Sequence, residues 1–288
     1  MDLAYLREHP QHLATFLTHQ RIRETPVSGG SICQAQRLTL DDGASVFAKS
    51  LSDPPEGFFA AEAAGLSWLR AGGGPPVPEV LAALPELLAL EWIDTDQPTP
   101  EAAEHFGRDL AVLHRAGADA FGAPWAGYIG RLPLDNTPDS RPWLDWFVER
   151  RLTPYIHMSV DRAALSAADV AVVERTLARA GRLGGGEPPA RTHGDLWPGN
   201  LVWGRGRTVW LVDPAAHGGH RETDLALLAL FGGAPHLDRI IAAYDEAWPL
   251  ADGWRDRVPL HQLYLLLVHT ALFGAGYRDA VMRAVRSL

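Results

Sequence analysis

One stretch, two thirds of the way along the chain, constrains this sequence more than any other feature. It reads Arg191-Thr-His-Gly-Asp-Leu-Trp-Pro-Gly-Asn200, and a short apolar run then leads to Asp213. Asp195, Asn200 and Asp213 together supply two carboxylates and one carboxamide. Phosphoryl transfer needs such a set, because one carboxylate orients the acceptor hydroxyl while two further groups hold Mg²⁺. The alternative is chance, since His-Gly-Asp alone also occurs as a turn tripeptide.

The spacing within this stretch is that of a kinase catalytic loop. His193-Gly-Asp195 is followed by Asn200 after four residues, and Asp213 falls where the metal-binding Asp of the D-F-G element would lie. We therefore expect Asp195 to be catalytic and Asn200 and Asp213 to bind Mg²⁺. A strand over 208–212 is predicted to carry Asp213 into a cleft.

Lysine occurs only once in the chain, as Lys49, whereas arginine fills the other 25 of the 26 basic positions. Lysine is a compact point charge on a flexible stem, and arginine is a wide planar fork. A single lysine therefore indicates a site that arginine cannot serve. The alternative is one surface lysine without a special role.

The residues around Lys49 favour a phosphate-binding role. Glycine and Asp-Gly turns separate extended segments before it, and Asp41-Asp-Gly43 is a strong hairpin signal. The turn at Gly29, Gly30 and Ser31 is predicted to cover a nucleotide. The predicted helix over 57–71 carries Glu62, which we expect to pair with Lys49; a solvated acid near a helix start is the alternative.

The first part of the chain is predicted to form a small lobe. Two short helices divided at Pro10 are expected within residues 1–20, followed by five strands, the last two over 79–84 and 86–93. Backbone groups at Glu91, Trp92 and Ile93 are expected to contact an adenine ring at a hinge between lobes.

Helices dominate the remainder of the chain. Thr99-Pro100 is a typical helix start; residues 121–130 are predicted to be a glycine-punctuated loop. Asp224 is expected to cap a helix that starts near Arg221 and to accept bonds from the catalytic-loop backbone. His217-Gly-Gly-His220 is interpreted as a loop, because two histidines without a third ligand are weak evidence for a metal. These patterns predict an α+β, bilobal protein with an ATP-binding lobe over 1–93 and a catalytic lobe over 94–288.

Composition excludes several classes of protein. The formal net charge of −9 over 288 residues disfavours a nucleic-acid-binding surface. Cys33 is the single cysteine, so an intramolecular disulfide is impossible and a reducing, cytoplasmic setting is expected. The N-terminus lacks the layout of a signal peptide, and no apolar run approaches the ~18 residues of a membrane span. The oligomeric state is not determined by these features, and a monomer is favoured.

Several motifs in this sequence, including the one described first, resemble those of the fructosamine kinase (ketosamine 3-kinase) family. They include His193-Gly-Asp-Leu-Trp-Pro-Gly-Asn200 and Gly219-His-Arg-Glu-Thr-Asp-Leu-Ala226, followed by Leu230-Phe-Gly-Gly233. Tyr128-Ile-Gly130 and Leu272-Phe-Gly274 also match. The likeness runs from about residue 22 to the C-terminus. Aminoglycoside, choline and homoserine kinases share the loop spacing, so the residues that distinguish this family are Trp197 and the run after Arg221.

The resemblance implies a protein-kinase-like fold and ATP-dependent phosphorylation of the sugar 3-hydroxyl of free or protein-bound ketosamines. The unstable product would release its amine, which is a repair of glycation. By position, Asp195 accepts the hydroxyl proton, Asn200 and Asp213 bind Mg²⁺, and Lys49 with Glu62 positions the ATP phosphates. His193 and Asp224 support the loop. Trp197 is a candidate platform for the sugar face, with packing of the loop as the alternative.

Two rival functions remain open from the residues alone. A kinase of the same fold that acts on an aminoglycoside or amino alcohol would use the same loop. A pseudokinase that binds nucleotide without turnover is disfavoured, because Lys49, Asp195, Asn200 and Asp213 are all present. Relatives that carry a redox-active cysteine have it in a G-C-I-S context; here the order is Gly30-Ser31-Ile32-Cys33, which argues against such a switch.

Overall fold

The chain begins with two short helices and an antiparallel sheet. The computed structural model describes residues 1–18, 22–27 and 32–288, so the predicted turn at Gly29, Gly30 and Ser31 lies outside the described residues. Helices α1 (Leu3–Glu8) and α2 (Leu13–Thr18) are separated by a 3-10 turn at Pro10–His12, which confirms the predicted division at Pro10.

Five strands form the first sheet, as predicted. They are β1 (Arg23–Pro26), β2 (Gln34–Thr39), β3 (Ser45–Ser50), β4 (Val80–Leu84) and β5 (Leu87–Glu91), in the spatial order β1-β2-β3-β5-β4. Every pair is antiparallel, and the Asp41-Asp-Gly43 turn joins β2 to β3. Helix α3 (Phe58–Ala71) lies between β3 and β4 in sequence and packs on the sheet.

The two faces of the sheet belong to different cores, because successive side chains of a strand point to opposite faces. Ala89 packs with the N-terminal helices, which contribute Leu6 and Leu13. Its neighbours Leu88 and Leu90 pack with α3 and with the elements around the predicted catalytic loop. The sheet is thereby fixed against the part of the chain that carries Asp195.

The remainder of the chain is mainly helical, with short two-stranded pairs. The helices are α4 (Pro100–Arg115), α5 (Trp143–Phe147), α6 (Thr153–Asp161), α7 (Ala167–Ala180), α8 (Arg221–Leu227), α9 (Leu237–Ala247), α10 (Trp254–Phe273) and α11 (Arg278–Arg286). The short strands are β6 (Gly127–Ile129), β7 (Leu132–Leu134), β8 (Ala190–Thr192), β9 (Leu201–Gly204), β10 (Thr208–Leu211) and β11 (His217–Gly219). A π-helical turn at Val148–Leu152 joins α5 to α6, and Thr99 caps α4 through a bond from the Ala102 amide.

Two segments predicted to be loops contain strands instead. Within 121–130, β6 pairs with β7 in a small hairpin. His217 lies in β11, which pairs with β8 immediately before the catalytic loop. Gly218 explains this second departure: a Cβ there would lie 2.0 Å from the Ala120 carbonyl oxygen, so only glycine permits the close approach of the two chain segments.

The sheet-bearing part and the helical part together form an α+β fold, as the sequence predicts. A boundary between lobes at residues 93 and 94 remains a prediction. Among the described residues, no helix combines the length and the apolar character needed to cross a membrane.

Candidate active site

The predicted catalytic loop connects β8 to β9 and is held by a buried glycine. Gly194 has a φ of +78°, and a Cβ at this position would lie 2.3 Å from the Ala215 carbonyl oxygen. The His-Gly-Asp sequence is therefore a structural requirement here, because a side chain at its centre would clash. The loop residue Leu196 is fully buried in the core beneath the sheet, which anchors the loop between Asp195 and Asn200.

Asp195 and Asn200 are brought into direct contact. Asn200 Nδ2 donates to the Asp195 backbone carbonyl at 2.8 Å, to Asp195 Oδ2 at 3.1 Å and to the Asp213 carbonyl at 3.3 Å. Asp195 Oδ1 is buried and has no hydrogen-bond partner among the described residues. Burial raises the pKa of Asp195 well above its usual range, and nearby Asp213 and Asp224 reinforce this against the Asn200 bond. One carboxylate oxygen is thus fixed while the other is unused.

Lys49 joins two distant parts of the chain. Its Nζ lies 2.6 Å from Glu62 Oε1 on α3 and 2.8 Å from Asp213 Oδ1 after β10. The Lys49 side chain is 8% exposed, whereas that of Asp213 is 47% exposed. The structure therefore brings the predicted Lys49–Glu62 pair together and places it beside the predicted metal ligand.

The charges of this group are set by burial and by each other. Burial lowers the pKa of Lys49, but Asp213 and Glu62 outweigh it and the pKa is raised, so the ammonium stays charged. Burial raises the pKa of Glu62 to about 7, against the attraction of Lys49. Desolvation by the cleft raises the pKa of Asp213, but contact with Lys49 prevails and lowers it. Asp213 also has a φ of +55°, a strained backbone state typical of functional sites.

His193 and Asp224 hold the loop from behind. Asp224 accepts from the backbone amides of His193 at 2.7 Å and Gly194 at 2.9 Å, as predicted. His193 accepts from the Asp195 amide through Nδ1 and donates through Nε2 to the Val212 carbonyl, next to Asp213. Burial lowers the pKa of His193, which favours the neutral ring that this pattern requires.

Asp224 does not cap its own helix, and this part of the prediction is wrong. The cap of α8 is His220, whose side chain accepts from the Glu222 amide. Asp224 lies in the middle of α8 and faces the loop instead. Its Oδ2 also contacts His114 Nε2 at 3.1 Å, and His114 Nδ1 lies 2.9 Å from the Tyr244 hydroxyl. Sequence reasoning missed His114, although a histidine on the apolar face of α4 was an available signal.

Trp197 is half-buried against other residues of the loop and its surroundings. Its ring covers Gly199, where a Cβ would lie 2.2 Å from the indole, and it meets Phe231 edge-on with 5.8 Å between ring centroids. This geometry favours a packing role for much of the ring. Its role toward a sugar stays a prediction.

Glu91, Trp92 and Ile93 lie at the end of β5. Val46 pairs with Glu91 and Lys49 pairs with Leu88 across β3 and β5. Three residues of extended chain, about 10 Å, therefore separate the predicted adenine contacts from the lysine. This spacing is compatible with a nucleotide lying along β3, and the adenine contacts stay predictions.

A cluster of potential metal ligands elsewhere is built around an ion pair between protein groups. Donor atoms of His220, Glu222 and His261 lie within 4.8 Å of one another. Arg257 binds both oxygens of Glu222, through Nε at 2.8 Å and Nη2 at 2.7 Å. The guanidinium neutralises the carboxylate, so the cluster is best described as a buried ion pair that joins α8 to α10.

Comparison with known proteins identifies the family. The family model described as fructosamine kinase matches residues 7–288. A Thermus thermophilus protein named "Probable ketoamine kinase" is 35% identical, and the match covers 90% of this chain and 92% of that protein. The chain belongs to the fructosamine kinase family. It is therefore a ketosamine kinase, a phosphotransferase with an alcohol acceptor, and the resemblance in its motifs is confirmed.

Solved structures agree with this assignment. A Thermobifida fusca protein assigned as a fructosamine-3-kinase is 50% identical, with a TM-score of 0.86 and 92% of each chain covered. An aminoglycoside phosphotransferase in a ternary complex with ADP and hygromycin B has a TM-score of 0.64 at 16% identity, covering 96% of this chain and 98% of that one. This second likeness shows the fold alone. The rival acceptors, aminoglycosides and amino alcohols, are not favoured.

Proposed function

We propose that this fructosamine kinase family member transfers the γ-phosphoryl group of ATP to the 3-hydroxyl of a ketosamine sugar, in the cytoplasm and with Mg²⁺. The substrate is a small-molecule or protein-bound ketosamine, and its phosphorylation begins the release of the sugar from a glycated amine. The observation that carries the proposal is the convergence of Lys49, Asp195, Asn200 and Asp213 on one cleft, in a chain of this family.

The ligands available in the cleft suit Mg²⁺, which prefers oxygen donors. Asp213 offers an exposed carboxylate, and Asn200 directs its amide nitrogen to Asp195 and Asp213, which leaves its amide oxygen for a cation. When bound, Mg²⁺ would neutralise charge on the transferred phosphoryl group. We assign Asn200 and Asp213 as its protein ligands.

Lys49 is assigned to the ATP phosphates, with Glu62 as its orienting partner. The ammonium stays charged in its buried position because Glu62 and Asp213 both stabilise it. A point charge on a flexible stem can contact phosphate oxygens without displacing the carboxylate behind it. Backbone groups of Glu91, Trp92 and Ile93, and the turn at Gly29, Gly30 and Ser31, would complete the nucleotide site.

Asp195 is assigned as the group that orients the sugar hydroxyl and accepts its proton. The 3-oxygen of the sugar forms a bond to the γ-phosphorus as the bond to the β-phosphate oxygen breaks, and ADP leaves. The hydroxyl proton passes to the Asp195 carboxylate, which lies beside Asn200 and Asp213. Because burial raises the pKa of Asp195, its carboxylate is a stronger base than an ordinary aspartate.

The test is turnover with Mg-ATP against fructosyl-lysine, ribulosyl-lysine and a panel of aminoglycosides. We expect ADP formation with at least one ketosamine and a loss of about 100-fold or more in Asp195→Asn. Asp145→Asn, which alters an exposed carboxylate, is the matched control and keeps full activity. Phosphorylation of aminoglycosides alone would overturn the proposal, and nucleotide binding without turnover of any hydroxyl would favour a sensor.

A further inference from the structure

An aromatic cluster that the phosphoryl-transfer assignments do not use lies beside the catalytic loop. It consists of Phe231 in the turn after α8, His269 and Phe273 on α10, and Tyr277, and we call it the aromatic platform. The His269 ring lies 4.7 Å from Phe231, 5.4 Å from Phe273 and 5.0 Å from Tyr277, measured between centroids. Phe231 and Phe273 are 43% and 47% exposed, although aromatic rings usually avoid water.

The platform is continuous with the loop that carries the proposed base. Trp197 follows Asp195 by two positions and meets the Phe231 ring edge-on at 5.8 Å. Because Trp197 and Asp195 belong to the same loop, the platform lies beside the loop that would receive the sugar. The remainder of the acceptor molecule, beyond the sugar, is the part that would extend over these rings.

Backbone strain at Phe231 is an independent sign that its ring is needed. Phe231 has a φ of +52°, a left-handed conformation that is costly for a bulky residue and that glycine would adopt freely. Gly232 and Gly233, which follow it, already supply positive φ to this turn. Strain of this kind concentrates at ligand sites, where the side chain serves a function.

His269 adds a hydrogen-bond acceptor to the platform. Its Nδ1 lies 2.9 Å from the Leu265 carbonyl oxygen and must donate there, since a carbonyl only accepts. Burial lowers the pKa of His269, which keeps the ring neutral. Its Nε2 therefore carries a lone pair, and it has no hydrogen-bond partner in the described part of the chain.

We infer that the aromatic platform binds the protonated secondary amine of the ketosamine and the first methylene groups beyond it. This inference rests on the proposed function, because a ketosamine carries its amine on the carbon next to the ketone. An alkylammonium is attracted to the faces of aromatic rings, and its N–H group can donate to a neutral imidazole nitrogen. The platform thereby distinguishes a ketosamine from a neutral ketose derivative that has the same hydroxyl groups.

The test compares two acceptors that differ in one group, N-hexyl fructosamine and its neutral isostere 1-O-hexyl fructose. ADP formation is measured for the unsubstituted protein and for Phe231→Leu, Phe273→Leu and Phe231→Tyr. For the cationic acceptor, we expect each leucine variant to raise KM about three- to tenfold with kcat little changed, because the contact is made equally before and during reaction. For the ether, we expect the KM to be unchanged in every variant. For the amine, we expect Phe231→Tyr to keep the KM of the unsubstituted protein, because tyrosine retains an aromatic ring.

The controls separate failure of the platform from failure of the proposed function. Tyr5→Leu removes another exposed aromatic ring, on α1, and is expected to leave the KM of both acceptors unchanged. If the leucine variants raise the KM of the amine and of the ether equally, or raise neither KM, the platform does not recognise the ammonium and the inference is wrong. If the unsubstituted protein phosphorylates neither acceptor nor any other ketosamine, the proposed function fails, and the inference fails with it.

Discussion

Lys49 illustrates how single residues define this site. It is the one lysine in the sequence, it is almost fully buried, and it contacts Glu62 on α3 and Asp213 after β10. In water such an ion pair would contribute little, but here two carboxylates surround one ammonium inside the protein. The lysine is therefore held in a set position before any phosphate arrives, and substitution of this residue is the sharpest residue-scale test.

Lys49→Arg is expected to lower kcat/KM for ATP about 10- to 100-fold while the protein stays folded. The planar guanidinium keeps the charge, but it is wider than an ammonium and cannot contact Glu62, Asp213 and a phosphate in the same space. Steady-state kinetics with varied ATP, alongside thermal unfolding, measure both quantities. Arg23→Lys on the exposed edge strand β1 is the control; near-normal activity of Lys49→Arg would make the lone lysine a coincidence.

At this scale the sequence predicted several contacts of the candidate site, and the reasons are local. Asp195 and Asn200 are five positions apart on one loop, so their contact follows from the spacing alone. Composition singled out Lys49. The surroundings of Trp197 could not be predicted, because its ring meets Phe231, a residue 34 positions away on another segment. Phe231 belongs to the Leu230-Phe-Gly-Gly233 motif, but its backbone strain and its exposure appear only in the fold.

Among the elements, helix α8 determines the shape of the catalytic loop. It is short and fully buried, and Asp224 in its middle accepts from two successive loop amides. His114 on α4 and Tyr244 on α9 extend these bonds to two further helices. Three helices thus fix one loop, which makes the position of Asp195 depend on groups that do not touch the substrate.

Asp224→Asn is expected to destabilise the protein by about 1.5–3 kcal/mol and to lower kcat. The amide keeps the size of the side chain but removes the charge, and one of its two ends can no longer accept from a loop amide. Urea unfolding and steady-state kinetics measure these effects. Asp161→Asn, at an exposed position, is expected to change stability by less than about 0.5 kcal/mol. An Asp224→Asn variant as stable and as active as the parent would show that α8 does not position the loop.

Errors at the element scale came from long-range contacts. The cap of α8 was assigned to Asp224, whereas His220 fills that position and Asp224 faces the loop. The sequence predicts a loop at His217-Gly-Gly-His220, whereas β11 forms there by pairing with β8, and Gly218 permits the close approach of the Ala120 carbonyl. Hydrophobic periodicity and caps did locate α3 and α4 correctly, since both signals are contained in neighbouring residues.

For the molecule as a whole, buried histidines predict acid sensitivity. Burial lowers the pKa of His217 and of His220 to about 3, from an ordinary value of 6.5. Between these pH values the unfolded chain binds more protons than the folded chain, so the free energy of unfolding falls as the pH falls below 6.5. Each such histidine adds up to about 1.4 kcal/mol per pH unit to this slope.

His220→Gln is expected to reduce that slope, because glutamine does not titrate. His220 faces His261, Glu222 and Arg257, and burial lowers the pKa of His261 as well, so His261 remains as a source of acid sensitivity when His220 is replaced. The measurement is the free energy of unfolding from urea titrations between pH 5 and 7. His157→Gln, at an exposed position, should leave the slope unchanged. An equal slope in His220→Gln and the parent would contradict the assigned cause.

We propose that this fold directs a phosphoryl group to one hydroxyl of a ketosamine. The most direct measurement is two-dimensional ¹H–³¹P correlation NMR of the product formed from fructosyl-lysine and Mg-ATP. We predict that the new phosphorus signal couples to the proton on sugar carbon 3 and is absent when Asp195→Asn replaces the parent protein. Phosphate on another sugar carbon, or conversion of ATP to inorganic phosphate without any phosphorylated sugar, would contradict the account.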